Sequence, residues 1–119
     1  MELYISKAAV RKLKKQLNFD NKILLSLDDG VGPFSKVGIC SLEISFDIIE
    51  VGEDTVTPDY DQQLNTNLGI WWYKGYSKNY LDENLKLILK GNQLVLSGNS
   101  GIIDSNVQLE KLVNVSAEI

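Results

Sequence analysis

The sequence predicts a single α+β domain over residues 1–119, with mostly antiparallel or mixed strands, one N-terminal helix and short helical turns. Three observations carry this. One helical stretch lies near the start, from Lys7 to Leu17, without Gly or Pro. Several later runs alternate apolar and polar residues at the period of a strand. Apolar residues make up 44% of 119 residues, enough for one packed core and too many for a disordered chain.

Leu3 to Ile5 reads as a short strand. Ser6 is a suitable N-cap, its hydroxyl able to accept from a backbone amide of the first turn. Val10, Leu13 and Leu17 then share one helix face, and Arg11, Lys12, Lys14 and Lys15 lie mostly away from it. Lys22 to Asp28 alternates, with Ile23, Leu25 and Leu27 on one side. Asp29-Gly30-Val31-Gly32-Pro33 has loop composition. A strand is expected from about Ile39, with Leu42, Ile44, Phe46 and Ile48 on one face. Ile49 and Val51 break that phase, which suggests a bulge or the end of pairing.

Gly52 to Asn67 is polar, contains Pro58, and reads mostly as a solvated connection. Leu68 to Lys74 is a strand ended by Gly75, and Ser77 to Leu81 suits one helical turn. Leu85 to Lys90 and Gln93 to Ser97 flank Gly91-Asn92, the clearest hairpin signal in the chain. Gly98 to Ser105 reads as loop and Asn106 to Leu112 as a last strand.

The chain has no histidine, which excludes Ser-His-Asp and Cys-His catalysis and imidazole metal ligation. No carboxylate pair is spaced for acid–base work, so a non-enzyme is expected. The net charge of −4 disfavours a nucleic-acid partner, and no apolar run is long enough to span a membrane. The start of the chain has no apolar signal region. With one cysteine, Cys40, a cytoplasmic protein is expected, in which that thiol stays reduced.

Cys40 is the natural ligand for iron, yet its phase with Leu42, Ile44 and Phe46 would turn it toward the core. Trp71, Trp72, Tyr73, Tyr76 and Tyr80 form the densest aromatic stretch. Alternation separates Trp72 from Trp71 and Tyr73. One set belongs to the core, and Trp71, Tyr73 and Tyr76 are the candidate interaction surface.

The order of these pieces resembles the HesB/IscA-like (A-type) family of iron–sulfur cluster biosynthesis proteins. Tyr4-Ile5-Ser6-Lys7-Ala8-Ala9-Val10 and the basic helix look like that family's opening. Gly38-Ile39-Cys40-Ser41-Leu42 is similar to its Gly-Cys-Ser-Gly segment, and Leu94-Val95-Leu96-Ser97-Gly98-Asn99 to its Phe-x-Phe-x-Asn-Pro-Asn strand and loop. The C-terminal Cys-Gly-Cys pair is absent; Gly101-Ile102-Ile103-Asp104-Ser105-Asn106-Val107 stands there instead.

The resemblance implies a HesB-like fold and a non-enzymatic assembly accessory with iron–sulfur assembly proteins as partners. Its cargo would be iron or a labile cluster met through Cys40. It also implies that the Asp29–Gly38 loop and Cys40 converge with Gly98–Asn106, making Cys40 and Asp104 the candidate metal ligands. A symmetric homodimer would offer two thiolates, short of the four that a cluster usually takes. The alternative is a protein- or small-ligand-binding module that kept the fold and lost the metal chemistry.

Overall fold

A computed structural model describes residues 1–28 and 44–113. Its elements are β1 (Glu2–Ile5), α1 (Lys7–Gln16), β2 (Lys22–Asp28), β3 (Ser45–Val51), β4 (Gln62–Thr66), β5 (Gly69–Tyr73), a 3₁₀ turn (Gly75–Tyr80), β6 (Leu85–Lys90), β7 (Gln93–Gly98) and β8 (Gly101–Leu112). The strands close into one barrel in the order β1-β4-β5-β2-β3-β8-β7-β6.

The single helix and the mixed strands are as the sequence predicts; closure is not something the periodicities show. Antiparallel pairs do not predominate. The hairpin-like pairs β2–β3, β4–β5, β6–β7 and β7–β8 are antiparallel, and β1–β4, β1–β6, β2–β5 and β3–β8 are parallel. Strands β1, β3, β4, β6 and β8 therefore run one way and β2, β5 and β7 the other. The end at which β1 finishes is called the upper end.

The helix forms where its cap and apolar spacing require. Ser6 Oγ accepts from the Ala9 amide at 3.3 Å. Ala9, Leu13 and Leu17 are buried in the barrel core with Leu25, Phe46, Ile48, Trp71 and Leu87. Lys12 Nζ reaches the Asn92 carbonyl at the upper β6–β7 turn, at 3.0 Å. In that turn Gly91 has a φ of +63°, a value that glycine takes without steric cost, and Asn92 does not share it. Glycine at the first central position is the pattern of a type II′ hairpin.

Three sequence readings of the strands and loops are corrected. β3 holds unbroken register with β2 from Ser45 to Val51, so there is no bulge at Ile49. Ile49 and Val51 are apolar because the outer face of β3 is covered too. With Leu24 and Tyr60 they form a second cluster, flanked by Trp72 and Leu112. The segment read as solvated loop thus contributes a buried Tyr60 and a whole strand, β4, of which only Leu64 is buried. The Gly98–Ser105 stretch is likewise strand from Gly101. β8 is shifted in register against β7 between Leu94 and Leu96 and between Leu96 and Ser97.

Candidate functional site

The lower end of the barrel is built from connections. β2 finishes there at Asp28 and β3 begins there at Ser45. The β7–β8 turn, Gly98–Gly101, and the 3₁₀ turn after β5 lie at the same end, as the strand directions require. Cys40 and the Asp29–Gly38 loop lie outside the described residues. Their described flanks, Asp28 and Ser45, open at the end that carries the β7–β8 turn.

Asp104 sits on β8 beside the entry to β3. Its Oδ2 accepts from the Phe46 amide and its Oδ1 from the Asn106 amide, each at 2.9 Å. Both oxygens are engaged in fixing backbone, so a metal ion would compete with two amide hydrogen bonds. Among the described residues no three His, Cys, Asp or Glu side chains are grouped to hold a metal.

A second carboxylate ties the same end together. Asp82 Oδ2 accepts from the Ser100 amide at 2.6 Å and Oδ1 from the Glu83 amide at 2.8 Å. These amides, Ser100 foremost, hold its carboxyl below the ordinary value of 3.8. Gly98 lets the chain pass close by, since a Cβ there would stand 2.5 Å from that of Asp82. Asn84, at a φ of 55°, donates through Nδ2 to Asn99 Oδ1 at 2.8 Å. Sequence reading registers these residues only as loop, although Asn and Asp beside Gly are the types that accept amides and tolerate positive φ.

The aromatic stretch divides differently from the expected interaction surface. Trp71 and Tyr73 are core residues, 1% and 3% exposed, and Trp71 stacks on Phe19 with centroids 6.3 Å apart. They point into the barrel because Leu64, paired with Trp71 across β4–β5, points there too. Trp72 is half-buried on the outer face, with Lys22 Nζ 5.6 Å from its ring. Of the three expected surface residues, Tyr76 alone is exposed.

A polar cluster that the sequence does not disclose lies on the outer face below Trp72. Ser26 and Tyr60 share a buried hydrogen bond of 2.8 Å. Lys74, 8% exposed, holds its ammonium 5.2 Å from the Tyr60 ring and 5.7 Å from that of Tyr76. Burial first of all pushes the Tyr60 hydroxyl up to about 12, so it stays protonated. Asp28 and Asp47 are buried on the same face of β2 and β3.

A cleft of about 1260 Å³ opens beside β1, between β4 and the connection that leads into β6. Tyr73, Leu81 and Leu85 contribute to its lining, with Gln63, Lys78 and Glu83 among its polar groups.

The iron–sulphur cluster biosynthesis family model matches residues 1–111. A candidate Fe–S biosynthesis protein from Lactobacillus salivarius, reported with a novel protein fold, is similar at 35% identity and a TM-score of 0.75. The match covers 93% of this chain and 98% of that one. A candidate Fe–S biosynthesis protein from Lactobacillus acidophilus, 22% identical, shares the fold at a TM-score of 0.74, with 93% and 90% covered. A comparison with curated proteins finds no match. A sequence match over nearly the whole chain and a shared barrel agree: the chain belongs to the iron–sulphur cluster biosynthesis family.

Proposed function

We propose that the chain is a non-enzymatic accessory of iron–sulfur cluster assembly in the cytoplasm, meeting iron or a labile cluster transiently through Cys40. The observation that carries this reading is the family match across residues 1–111, on a chain whose sole thiol stands in a Gly-Ile-Cys-Ser segment.

The donor count sets its limits. Clusters are held by about four thiolates, some replaceable by imidazole. This chain has one thiol and no histidine, and its described residues hold no carboxylate group that would complete a shell. Resident cluster chemistry does not fit one copy of the chain. Cargo would be shared with a partner's thiolates, those of an assembly protein or of a second copy.

Anaerobic reconstitution with iron and sulfide, followed by desalting, tests this. Weak visible absorbance is expected, lost on a second desalting step and absent in Cys40→Ser. Equal absorbance in Cys40→Ser, or none in either protein, would overturn the assignment.

A further inference from the structure

We propose that the exposed face of α1 docks an acidic helical segment of a partner protein. This rests on neither Cys40 nor the assembly reading. α1 carries five of the chain's twelve cationic residues and none of its sixteen acidic ones. The rest of the chain therefore has seven cations against sixteen acids, so a basic helix stands on an acidic remainder.

The cations form a stripe. At 3.6 residues per turn, Lys7, Arg11, Lys14 and Lys15 fall within an arc of about 100°, over a rise of about 12 Å. All four are exposed, and Ala9 and Leu13 hold the other side of the helix in the core. Lys12 lies off the stripe, on the Asn92 carbonyl. Among the described residues none of the four makes an ion pair; the pair there joins Lys111 to Glu50.

Neither stability nor solubility accounts for the stripe. Lys7 with Arg11, and Arg11 with Lys15, are like charges four residues apart, which destabilise a helix. Lys7 stands in a first turn without an acidic residue, where the helix dipole disfavours a cation. Glu has a helix propensity close to those of Lys and Arg, and at one of these positions it would give an ion pair instead. Solubility follows the magnitude of the net charge, which these cations reduce to −4. A local rule broken without a structural gain marks a functional surface.

Charge and length indicate the occupant. Carboxylates at i, i+4, i+7 and i+8 of a second, parallel helix repeat the rises of Lys7, Arg11, Lys14 and Lys15, so each cation meets one anion. A nucleic acid or an anionic bilayer would extend past the stripe over the acidic remainder. Insertion into a bilayer would also need the apolar face of α1, which is in the core. The docked segment sits at the upper end, away from Asp28 and Ser45.

Fluorescence anisotropy on the full chain tests this, with a labelled alanine-based helical peptide carrying Glu at i, i+4, i+7 and i+8. Saturable binding is expected at low ionic strength, weakening as salt is added. Arg11→Gln/Lys14→Gln should bind about tenfold more weakly. It should melt no lower than the parent, because Gln keeps the helix propensity and removes a like-charge contact. Lys78→Gln/Lys86→Gln, which removes as much charge elsewhere, should bind within about twofold of the parent. A peptide with the same four Glu spread around the helix should bind about tenfold more weakly. Backbone amide shifts of the parent should move along α1 on titration, a readout that stands even if a variant does not fold. Absence of saturable binding at millimolar peptide, equal binding of the two peptides or by the two double variants, or shifts confined to other elements would overturn the proposal. So would tighter binding of a mixed-sequence DNA duplex or of phosphatidylserine vesicles at equal charge concentration, since the occupant would then be a polyanion or a membrane.

Discussion

The two ends of the barrel are closed by different means. At the upper end an apolar helix face caps the core, and the connection behind it is fixed by one fully buried carboxylate. Glu50 Oε1 accepts from the Asn18 amide at 2.9 Å and Oε2 from Asn21 Nδ2 at 2.6 Å, with Lys111 Nζ 3.9 Å away. At the lower end no α-helix caps the core among the described residues, and half-buried carboxylates clip one connection to the next. Asp82 holds the β7–β8 turn and Asp104 the entry to β3. The same interaction, carboxylate oxygen on backbone amide, is thus made by a fully buried side chain at one end and by half-buried ones at the other. The helix and the fully buried carboxylate lie at one end, and the other is left to loops, where binding residues are commonly carried.

The largest effect should follow from Glu50→Ala. It leaves the Asn18 amide and the Asn21 side-chain amide without their acceptor, at about 1–3 kcal/mol for each part-buried donor. A loss of roughly 2–4 kcal/mol is expected in urea unfolding, about half of it restored in Glu50→Gln, which keeps one acceptor oxygen. A loss below about 0.5 kcal/mol, within the range of ordinary surface substitutions, would break the contrast between the ends.

Asp82→Asn should act locally and depend on pH. The folded carboxyl titrates below its ordinary 3.8, so its contribution is fully present above that value and is lost as pH falls through the depressed one. Faster amide exchange at Ser100 is expected in the variant near neutral pH. The difference from the parent should fade only as pH falls through the depressed folded value. A difference that persisted unchanged in acid would assign the effect to packing against Gly98 instead.

The smallest expected effect is none. The described core closes on apolar side chains without a metal group, so thermal melts by circular dichroism with and without a strong chelator should coincide. A marked fall on chelation would show that metal holds the lower end together.

How much of this the sequence discloses depends on where each residue's partners lie. Lys7–Gln16 and Leu85–Lys90 bury one face against a single core, so their periodicity is clean. β4 escapes notice because Leu64 is its one buried residue. β3 misleads because Ile49 and Val51 pack under Tyr60, a covering invisible in β3's own sequence. Ser26 and Tyr60 are 34 positions apart, and nothing local to either suggests the other. Closure depends on four parallel pairings with no turn between them to signal the match. At the site, Cys40 stands out as the sole thiol. Asp82 and Asp104 matter through backbone amides, which every residue but proline has, so sequence cannot single them out.

The parallel seams also bear on how the chain reaches this state. β1 is the stave between β4 and β6, and its partner for Leu3 is Leu85, 82 positions away. Topologies dominated by such distant pairings fold slowly, because the loop entropy is lost before the contacts return it. Leu3 finds its first partner, Thr66, only 63 positions on, and both Leu3 and Ile5 wait for β6, at Leu85 and Leu87, to complete their pairing. During synthesis the strand that completes the barrel is made among the first and seated among the last, and in that interval its apolar residues are exposed to chaperones and to neighbouring chains.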